Sequence, residues 1–137
     1  MKYAFDADVL IYAGFPNHPL GAQVLYLLKH VALENLCGSV MLIPELLSKS
    51  LRLGNTEEVV VLRNLLLALQ LEPMTETIAL SAAQLGAVYK LKSPDAVHLA
   101  TAIHAGADVF LTNNSKDFNR SSVQELEIVF PEDLPQP

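Results

Sequence analysis

The fold is set near the amino end by the stretch KYAFDADVLIY, which covers residues 2–12. The short apolar run from Lys2 to Phe5 predicts a first strand, and two carboxylates, Asp6 and Asp8, come directly after it. In a parallel sheet covered by helices, the ligand site lies beyond the carboxyl ends of the strands. The sequence therefore predicts a functional site immediately after Phe5.

Strand-like and helix-like segments alternate along the rest of the chain. Alternation of this kind predicts an α/β fold, here a three-layer α/β/α arrangement with a central parallel sheet. Thr56 and Ser93 are the predicted N-caps of two of the helices. Further strands or extended segments are predicted at 39–43, 71–74, 108–111 and 128–130, and helices at 20–36, 44–53, 57–70, 76–91 and 93–105.

Length and composition restrict the class of protein. The 137 residues predict one domain, 1–137, whose Pro-rich end, 131–137, is expected to be a loose tail. Hydrophobic residues make up 51% and charged residues 18%, which excludes a disordered chain. No apolar stretch approaches about 18 residues, so we expect no membrane span, and the first residues do not read as a secretory signal. The single cysteine, Cys37, suits a reducing cytoplasm.

The net charge of −6 argues against a protein that binds nucleic acid by overall charge alone. If the substrate is a nucleic acid, a metal ion, a clustered basic patch or a partner chain must supply local positive charge. Lys49 and Arg52 share a predicted helix face with Glu45, Lys92 precedes Asp95, and Lys116 precedes Asp117. These four basic residues are candidate phosphate contacts; alternatively, they are charges on an ordinary solvated surface.

Carboxylates recur at the predicted ends of strands. Glu45 follows the second strand, Asp95 opens a helix, and Thr112, Asn114 and Asp117 follow the strand that ends at Leu111. Carboxylates that converge on one cleft repel each other, and a divalent cation removes that repulsion. Oxygen ligands without a Cys/His set favour Mg²⁺ or Mn²⁺ over zinc, with one or two ions bound.

Four motifs occur in the order and spacing of the PIN domain family, and together they span nearly the whole chain. They are FDADVLIY at 5–12, PEL at 44–46, SPDAVHLATA at 93–102 and FLTNNSKDF at 110–118. Among that family the chain resembles the compact VapC-type toxins. The resemblance implies a metal-dependent endoribonuclease that acts on single-stranded RNA and is held inactive by an antitoxin protein.

The resemblance also implies site residues. The three most constant acids of the family match Asp6, Glu45 and Asp95, which are expected to be catalytic metal ligands, and its strand-end hydroxyl matches Thr112. At the position of a frequent fourth acid this chain has Asn114. Either Asp117 takes the role of the fourth catalytic metal ligand, or the Asn114 amide holds a water of the ion.

Two further polar residues, Asp8 and His98, lie within these motifs. Asp8 either supports the site or caps the helix that follows. His98 shares a helix face with Asp95, and we expect it to be a satisfied core residue.

One long segment is apolar around nearly its whole circumference, from Val59 to Leu69. A helix of this kind is buried in the core or forms an interface. Related PIN proteins often dimerise, so a homodimer is expected, with burial in the monomer core as the alternative.

Parts of the sequence are also compatible with two other functions. DADVL after a short strand also resembles the nucleophile motif of haloacid-dehalogenase-like phosphatases, but Leu10 stands where that family has Thr or Val, and the later acidic pair is missing. The other alternative is a catalytically weak PIN fold, with Asn114 in place of an acid, that only binds RNA or a partner protein.

Overall fold

The computed structural model describes residues 1–15 and 17–137. Within these residues, one sheet of five short strands forms the centre of the molecule. The strands are β1 Tyr3–Phe5, β2 Leu36–Ser39, β3 Gln70–Glu72, β4 Val109–Leu111 and β5 Glu127–Val129.

Helices connect these strands and cover the sheet. The six α-helices of the described residues are α1 Ala7–Ala13, α2 Gly21–His30, α3 Leu42–Arg52, α4 Thr56–Leu67, α5 Glu76–Tyr89 and α6 Ser93–His104. Two short 3₁₀ helices, Leu33–Asn35 and Pro131–Asp133, precede β2 and follow β5. None of the helices in this part of the chain has the length and apolarity needed to cross a membrane.

The sheet is parallel throughout, in the order β3-β2-β1-β4-β5. Successive strand residues point to opposite faces, so Ala4 and Phe110 join one apolar cluster while Phe5 and Leu111 join the other. Both faces are therefore buried under helices, which confirms the predicted three-layer α/β/α fold. The strand order reverses between β1 and β4, and the crevice outside their carboxyl ends is where this fold places a ligand.

The second strand lies earlier than predicted. The interpretation of 39–43 as a strand and of 20–36 as one helix was wrong, because α2 ends at His30 and β2 covers Leu36–Ser39. Gly38 is a buried strand residue, and a Cβ atom there would lie 2.5 Å from Cδ1 of Leu42. As a consequence, Glu45 lies in the first turn of α3 rather than directly after a strand.

The caps of α4 and α6 also differ from the prediction. Asn55, not Thr56, caps α4, and its side chain accepts a hydrogen bond from the backbone N–H of Glu58. Ser93 is the first residue of α6, whose N-cap position is Lys92. Pro94 still lies in the first turn of α6, where its missing N–H costs nothing.

Helix α4 is only half buried. Leu62 and Leu66 pack into the core, whereas Val60, Val61 and Leu67 are 50%, 43% and 76% exposed. Burial of the whole helix in the monomer, the alternative to an interface, was therefore wrong. The exposed side chains form an apolar strip on the surface.

The carboxyl-terminal segment is held for its first four residues, contrary to the predicted loose tail. Asp133 accepts hydrogen bonds from the backbone N–H of Phe130 and from Nη1 of Arg120. The side-chain amide of Gln23 donates to the carbonyl of Leu134. These contacts fix the segment from Pro131 to Leu134 against α2 and the loop after β4.

Candidate functional site

Asp6 is fixed at the junction of the two central strands. It follows β1 directly, and its backbone N–H donates to the carbonyl of Leu111, at the end of β4. Its Oδ1 atom accepts from the N–H of Ala7 at 2.8 Å, and its Oδ2 atom accepts from the Thr112 hydroxyl at 2.7 Å. The residue is only 6% exposed. A buried carboxylate thus stands at the place where the sheet topology predicts a site.

Thr112 links Asp6 to the loop after β4. Its hydroxyl oxygen also accepts from the N–H of Asn114 at 3.1 Å. The Asn114 side-chain amide donates to Oδ2 of Asp117 at 2.9 Å, and the Asp117 N–H donates back to Asn114 Oδ1 at 3.3 Å. The structure therefore joins Asn114 and Asp117, the two candidates for the fourth-acid role, in one hydrogen-bonded unit. The next residue, Phe118, is fully buried and anchors the loop.

Asp95 lies in the first turn of α6, across the crevice. Burial, followed by the charges of Asp6 and Asp117, raises the pKa of its carboxyl from 3.8 to about 6. Glu45 adds a smaller repulsion. Asp6, Glu45 and Asp117 thus act electrostatically on Asp95, although the four residues come from separate parts of the chain.

Asp8 is in the first turn of α1, whose N-cap is Asp6. The interpretation of Asp8 as the helix cap was therefore wrong. Its Oδ2 atom accepts from the N–H of Asn113 at 3.1 Å, while the buried Oδ1 atom has no hydrogen-bond partner among the described residues. Burial, followed by the charge of Asp6, raises the pKa of Asp8 to about 7. Asp8 therefore supports the loop beside Thr112 and adds to the negative charge of the site only when it is ionised.

His98 makes a contact that the sequence did not reveal. Its Nε2 atom lies 2.5 Å from Oε1 of Glu45, so the imidazole on α6 holds the carboxylate on α3. The hydrogen bond requires the proton on Nε2. His98 is 2% exposed, as expected of a core residue, but it is not fully satisfied, because its buried Nδ1 atom has no hydrogen-bond partner among the described residues. The only available signal was its spacing of three residues from Asp95, which places both on one helix face.

The charge state of His98 reflects opposing effects. Burial lowers its pKa, but the hydrogen bond to Glu45 and the charge of Asp6 outweigh burial, so the pKa is raised above 6.5 overall. The carboxylates therefore stabilise the protonated ring, while its burial opposes that form. When protonated, the imidazole partly balances the negative charge of the crevice.

The donor chemistry of the crevice fits a divalent cation. Asp6, Glu45, Asp95 and Asp117 offer only carboxylate oxygens, the ligands that Mg²⁺ and Mn²⁺ prefer. A bound cation would also relieve the repulsion that raises the pKa of Asp95 and Asp8. In residues 1–15 and 17–137, no three Asp, Glu, His or Cys side chains already stand in position to share one ion. His98 holds Oε1 of Glu45, which leaves Oε2 of that carboxylate for an ion.

The four candidate phosphate contacts lie in three different parts of the structure. Lys92 immediately precedes α6, and Lys116 is the neighbour of Asp117 in the loop after β4. Lys49 and Arg52 lie in the last turn of α3, about 6 and 10 Å along the helix axis from Glu45. All four are exposed.

Comparison with known proteins gives a family and a fold. The PIN domain family model matches residues 3–122. No curated protein matches the chain. Three similar solved structures are a toxin–antitoxin complex from Klebsiella pneumoniae, FitAcB from Neisseria gonorrhoeae, and VapBC2 from Rickettsia felis bound to a DNA fragment from their promoter.

All three alignments extend over nearly the full length of both chains. The Klebsiella structure has a TM-score of 0.74 and 24% identity, covering 95% of this chain and 98% of that one. The Neisseria structure has a TM-score of 0.71 and 21% identity, with 96% and 99% covered. The Rickettsia structure has a TM-score of 0.67 and 18% identity, with 95% and 98% covered. At these identities, the likeness shows a shared fold.

Proposed function

This chain belongs to the PIN domain family, and from that membership we propose that it is a Mg²⁺- or Mn²⁺-dependent endoribonuclease that cleaves single-stranded RNA. The proposal rests on the raised pKa of Asp95. Burial and the charges of Asp6 and Asp117 raise this pKa to about 6. Buried carboxylates that repel one another at the switch point of a parallel sheet are typical of a site that holds a cation.

The proposed roles follow the resemblance to the PIN family, and hydrogen bonds of Asp6 and Asp117 support them. Asp6, Glu45 and Asp95 hold one ion, and Asp117, braced by Asn114, holds a second ion or its waters. When bound, such ions activate water and stabilise the charge that develops on the phosphoryl and leaving oxygens. Thr112 and the N–H of Ala7 fix Asp6 before any substrate arrives. Preorganised groups of this kind do not have to be reordered during the reaction.

The substrate contacts are proposed to be electrostatic. Lys92 and Lys116 flank Asp95 and Asp117 in sequence, and Lys49 and Arg52 extend the positive surface along α3. Phosphate groups of the RNA would bind these side chains, which gives local attraction in a chain whose net charge is −6. The direct test is cleavage of a labelled single-stranded RNA in Mn²⁺, compared between the wild type and Asp95→Asn.

We also propose that the protein is the toxin of a toxin–antitoxin pair, inhibited by an antitoxin protein, and acts in the cytoplasm. The shared fold with structures named as toxin–antitoxin complexes supports the first part. The free, buried thiol of Cys37 is consistent with a reducing compartment.

His98 is predicted to be a positioning residue for Glu45. His98→Ala removes the donor to Oε1 and leaves Glu45 free to rotate. Loss of a residue that orients a metal ligand typically weakens metal binding by about 10- to 100-fold. We therefore expect Mn²⁺ affinity, measured by titration calorimetry, to fall by about that factor, and His98→Gln, which keeps a donor, to recover part of it.

The matched control is His104→Ala, on the exposed last turn of the same helix. It should bind Mn²⁺ as the wild type does. Mn²⁺ affinity within about twofold of the wild type in a folded His98→Ala protein would contradict the positioning role.

A homodimer is proposed through the apolar strip of α4. Val60, Val61 and Leu67 are exposed there, and Leu51 and Leu53, 62% and 66% exposed, lie near the end of α3. Extended exposed apolar surface is uncommon on monomers. Sedimentation equilibrium should give twice the single-chain mass of 15.0 kDa for the wild type and the single-chain mass for Leu67→Glu. A wild type that remains monomeric at high concentration would contradict this proposal.

A further inference from the structure

A second concave site adjoins the carboxylates. A cavity of about 350 Å³ opens between the carboxyl end of α5 and the loop after β4. Its lining includes Tyr89, Lys90, Lys116, Asp117, Asn119 and Ser122. This volume is at the lower end of the range found for small-molecule sites. Because Asp117 belongs both to this pocket and to the proposed metal site, the pocket opens beside the position of the reacting phosphate.

The pocket lining has a net positive charge, because it contains two lysines and one acid. In the part of the chain that the structure describes, the ion pairs are His98 with Glu45 and Arg120 with Asp133, so neither Lys90 nor Lys116 is paired. Both lysines are exposed. Asp117 is the one acid of the lining, and its carboxylate already accepts a hydrogen bond from Asn114. Two free ammonium groups at one pocket are suited to an anion.

Lys90 occupies a backbone position that normally favours glycine. Its φ of 58° and ψ of 43° are left-handed, and it is the one non-glycine residue with positive φ in residues 1–15 and 17–137. It ends α5 by donating its N–H to the carbonyl of Gly86. Glycine takes this conformation without steric cost. The lysine therefore costs stability at a turn where its side chain lines the pocket, which indicates a role for that side chain.

Tyr89 contributes an aromatic residue to the pocket lining, and hydrogen bonds hold its hydroxyl group. Its hydroxyl donates to Oε1 of Glu125 at 2.5 Å and accepts from the N–H of Gln124 at 3.5 Å. The hydroxyl is thus engaged by the loop before β5, while the residue lines the pocket. Nucleobases of single-stranded RNA commonly stack on aromatic side chains. An aromatic wall beside two lysines fits a nucleotide better than a simple anion.

We propose that this pocket binds one nucleotide of the RNA strand next to the scissile phosphodiester. Lys90 and Lys116 contact its phosphate, and the base packs against Tyr89, with Asn119 and Ser122 available for hydrogen bonds. The inference rests on the proposed function, because the pocket is defined by its position beside Asp117. The pocket holds a part of the substrate that the carboxylates cannot hold, since without a cation the carboxylates repel a phosphate.

The test measures binding of a fluorescein-labelled single-stranded RNA 12-mer by fluorescence anisotropy in EDTA, where the proposed nuclease leaves the RNA intact. The variants are Lys90→Gly and Lys116→Gln, and the control is Lys29→Gln, an exposed lysine on the last turn of α2. Each pocket variant should bind about threefold to tenfold more weakly. The slope of log K against log salt should become less negative by about 0.7, the value for one phosphate contact on a single strand. The control should change neither quantity.

Lys90→Gly separates binding from folding. Its Tm should equal or exceed that of the wild type, because glycine adopts the left-handed conformation freely. Weaker RNA binding by a protein of undiminished Tm is then a property of the lost side chain. Tyr89→Ala should weaken binding by about fivefold or more without changing the salt slope, while Tyr89→Phe, which keeps the ring, should bind nearly as the wild type does.

The outcomes distinguish this inference from the proposed function. Wild-type protein that cleaves RNA in Mn²⁺, with affinity and salt slope unchanged in both lysine variants, overturns the nucleotide pocket and leaves the nuclease proposal standing. Lysine-dependent RNA binding by a wild type that cleaves nothing supports the pocket and contradicts the nuclease. A wild type that binds no RNA overturns the pocket.

Discussion

Asp95→Asn is expected to reduce Mn²⁺-dependent cleavage of single-stranded RNA by about 10³-fold, the scale on which loss of one group that stabilises transition-state charge acts. The amide keeps the size of the carboxyl group but loses its charge, so the proposed first ion loses one of its three ligands. Mn²⁺ should also raise the Tm of the wild type more than that of the variant, because stabilisation by a ligand rises with the logarithm of its affinity. Cleavage is measured with a labelled oligonucleotide and checked against EDTA.

The same variant should be at least as stable as the wild type without metal, and the difference should depend on pH. The pKa of Asp95 is about 6 in the folded protein against 3.8 when unperturbed. A raised carboxyl pKa means that the folded state holds its proton more tightly, so stability is full below about pH 4 and is lost as the pH rises toward 6. Asparagine cannot ionise and does not suffer this loss. The Tm advantage of the variant should therefore be absent near pH 3.5 and grow up to about pH 6 to 7.

Glu34→Gln is the matched control, since Glu34 is an exposed acid in the 3₁₀ helix before β2, at the opposite end of the strand from the site. It should cleave RNA at the wild-type rate. Undiminished cleavage by Asp95→Asn would contradict the assigned site. A folded wild type that binds RNA and fails to bind Mn²⁺ would favour the alternative of a PIN fold that only binds.

Thr112→Val is expected to damage both stability and activity. Valine matches the shape of threonine but removes the fully buried hydroxyl that donates to Asp6 and accepts from Asn114. Leaving a buried carboxylate oxygen and a backbone N–H without partners costs about 2–3 kcal/mol. For a chain of 137 residues, this corresponds to a fall in Tm of about 6–15 °C. Cleavage should fall by about 10²-fold, because Asp6 is no longer held in a fixed orientation.

Thr112→Ser is the control for this prediction. It keeps the hydroxyl and loses one methyl group, which costs about 0.8 kcal/mol. Its cleavage rate should stay within a few-fold of the wild type. If Thr112→Val melts within about 2 °C of the wild type, the hydroxyl link between β1 and the loop after β4 does not stabilise the fold.

Some features could be read from the sequence because they depend on local pattern. The apolar run before Asp6 and the helical patterns of 76–91 and 93–105 placed β1, α5 and α6 within a few residues of their observed bounds. The second strand was misplaced because a glycine often lies between two elements, whereas Gly38 lies inside β2 and makes room for Leu42. Likewise, Asp8 and Asp6 both suit an N-cap, and only the backbone geometry assigns the cap to Asp6.

The alternating α/β pattern and the carboxylates after Phe5 can be read from the sequence, since apolar periodicity is a property of neighbouring residues. Which side chains meet depends on the tertiary fold. Asp6 meets Thr112 across 106 positions because β1 lies beside β4, and Glu45 of α3 meets His98 of α6 across 53 positions. Contacts between residues so far apart follow from strand order, which one-dimensional patterns do not encode.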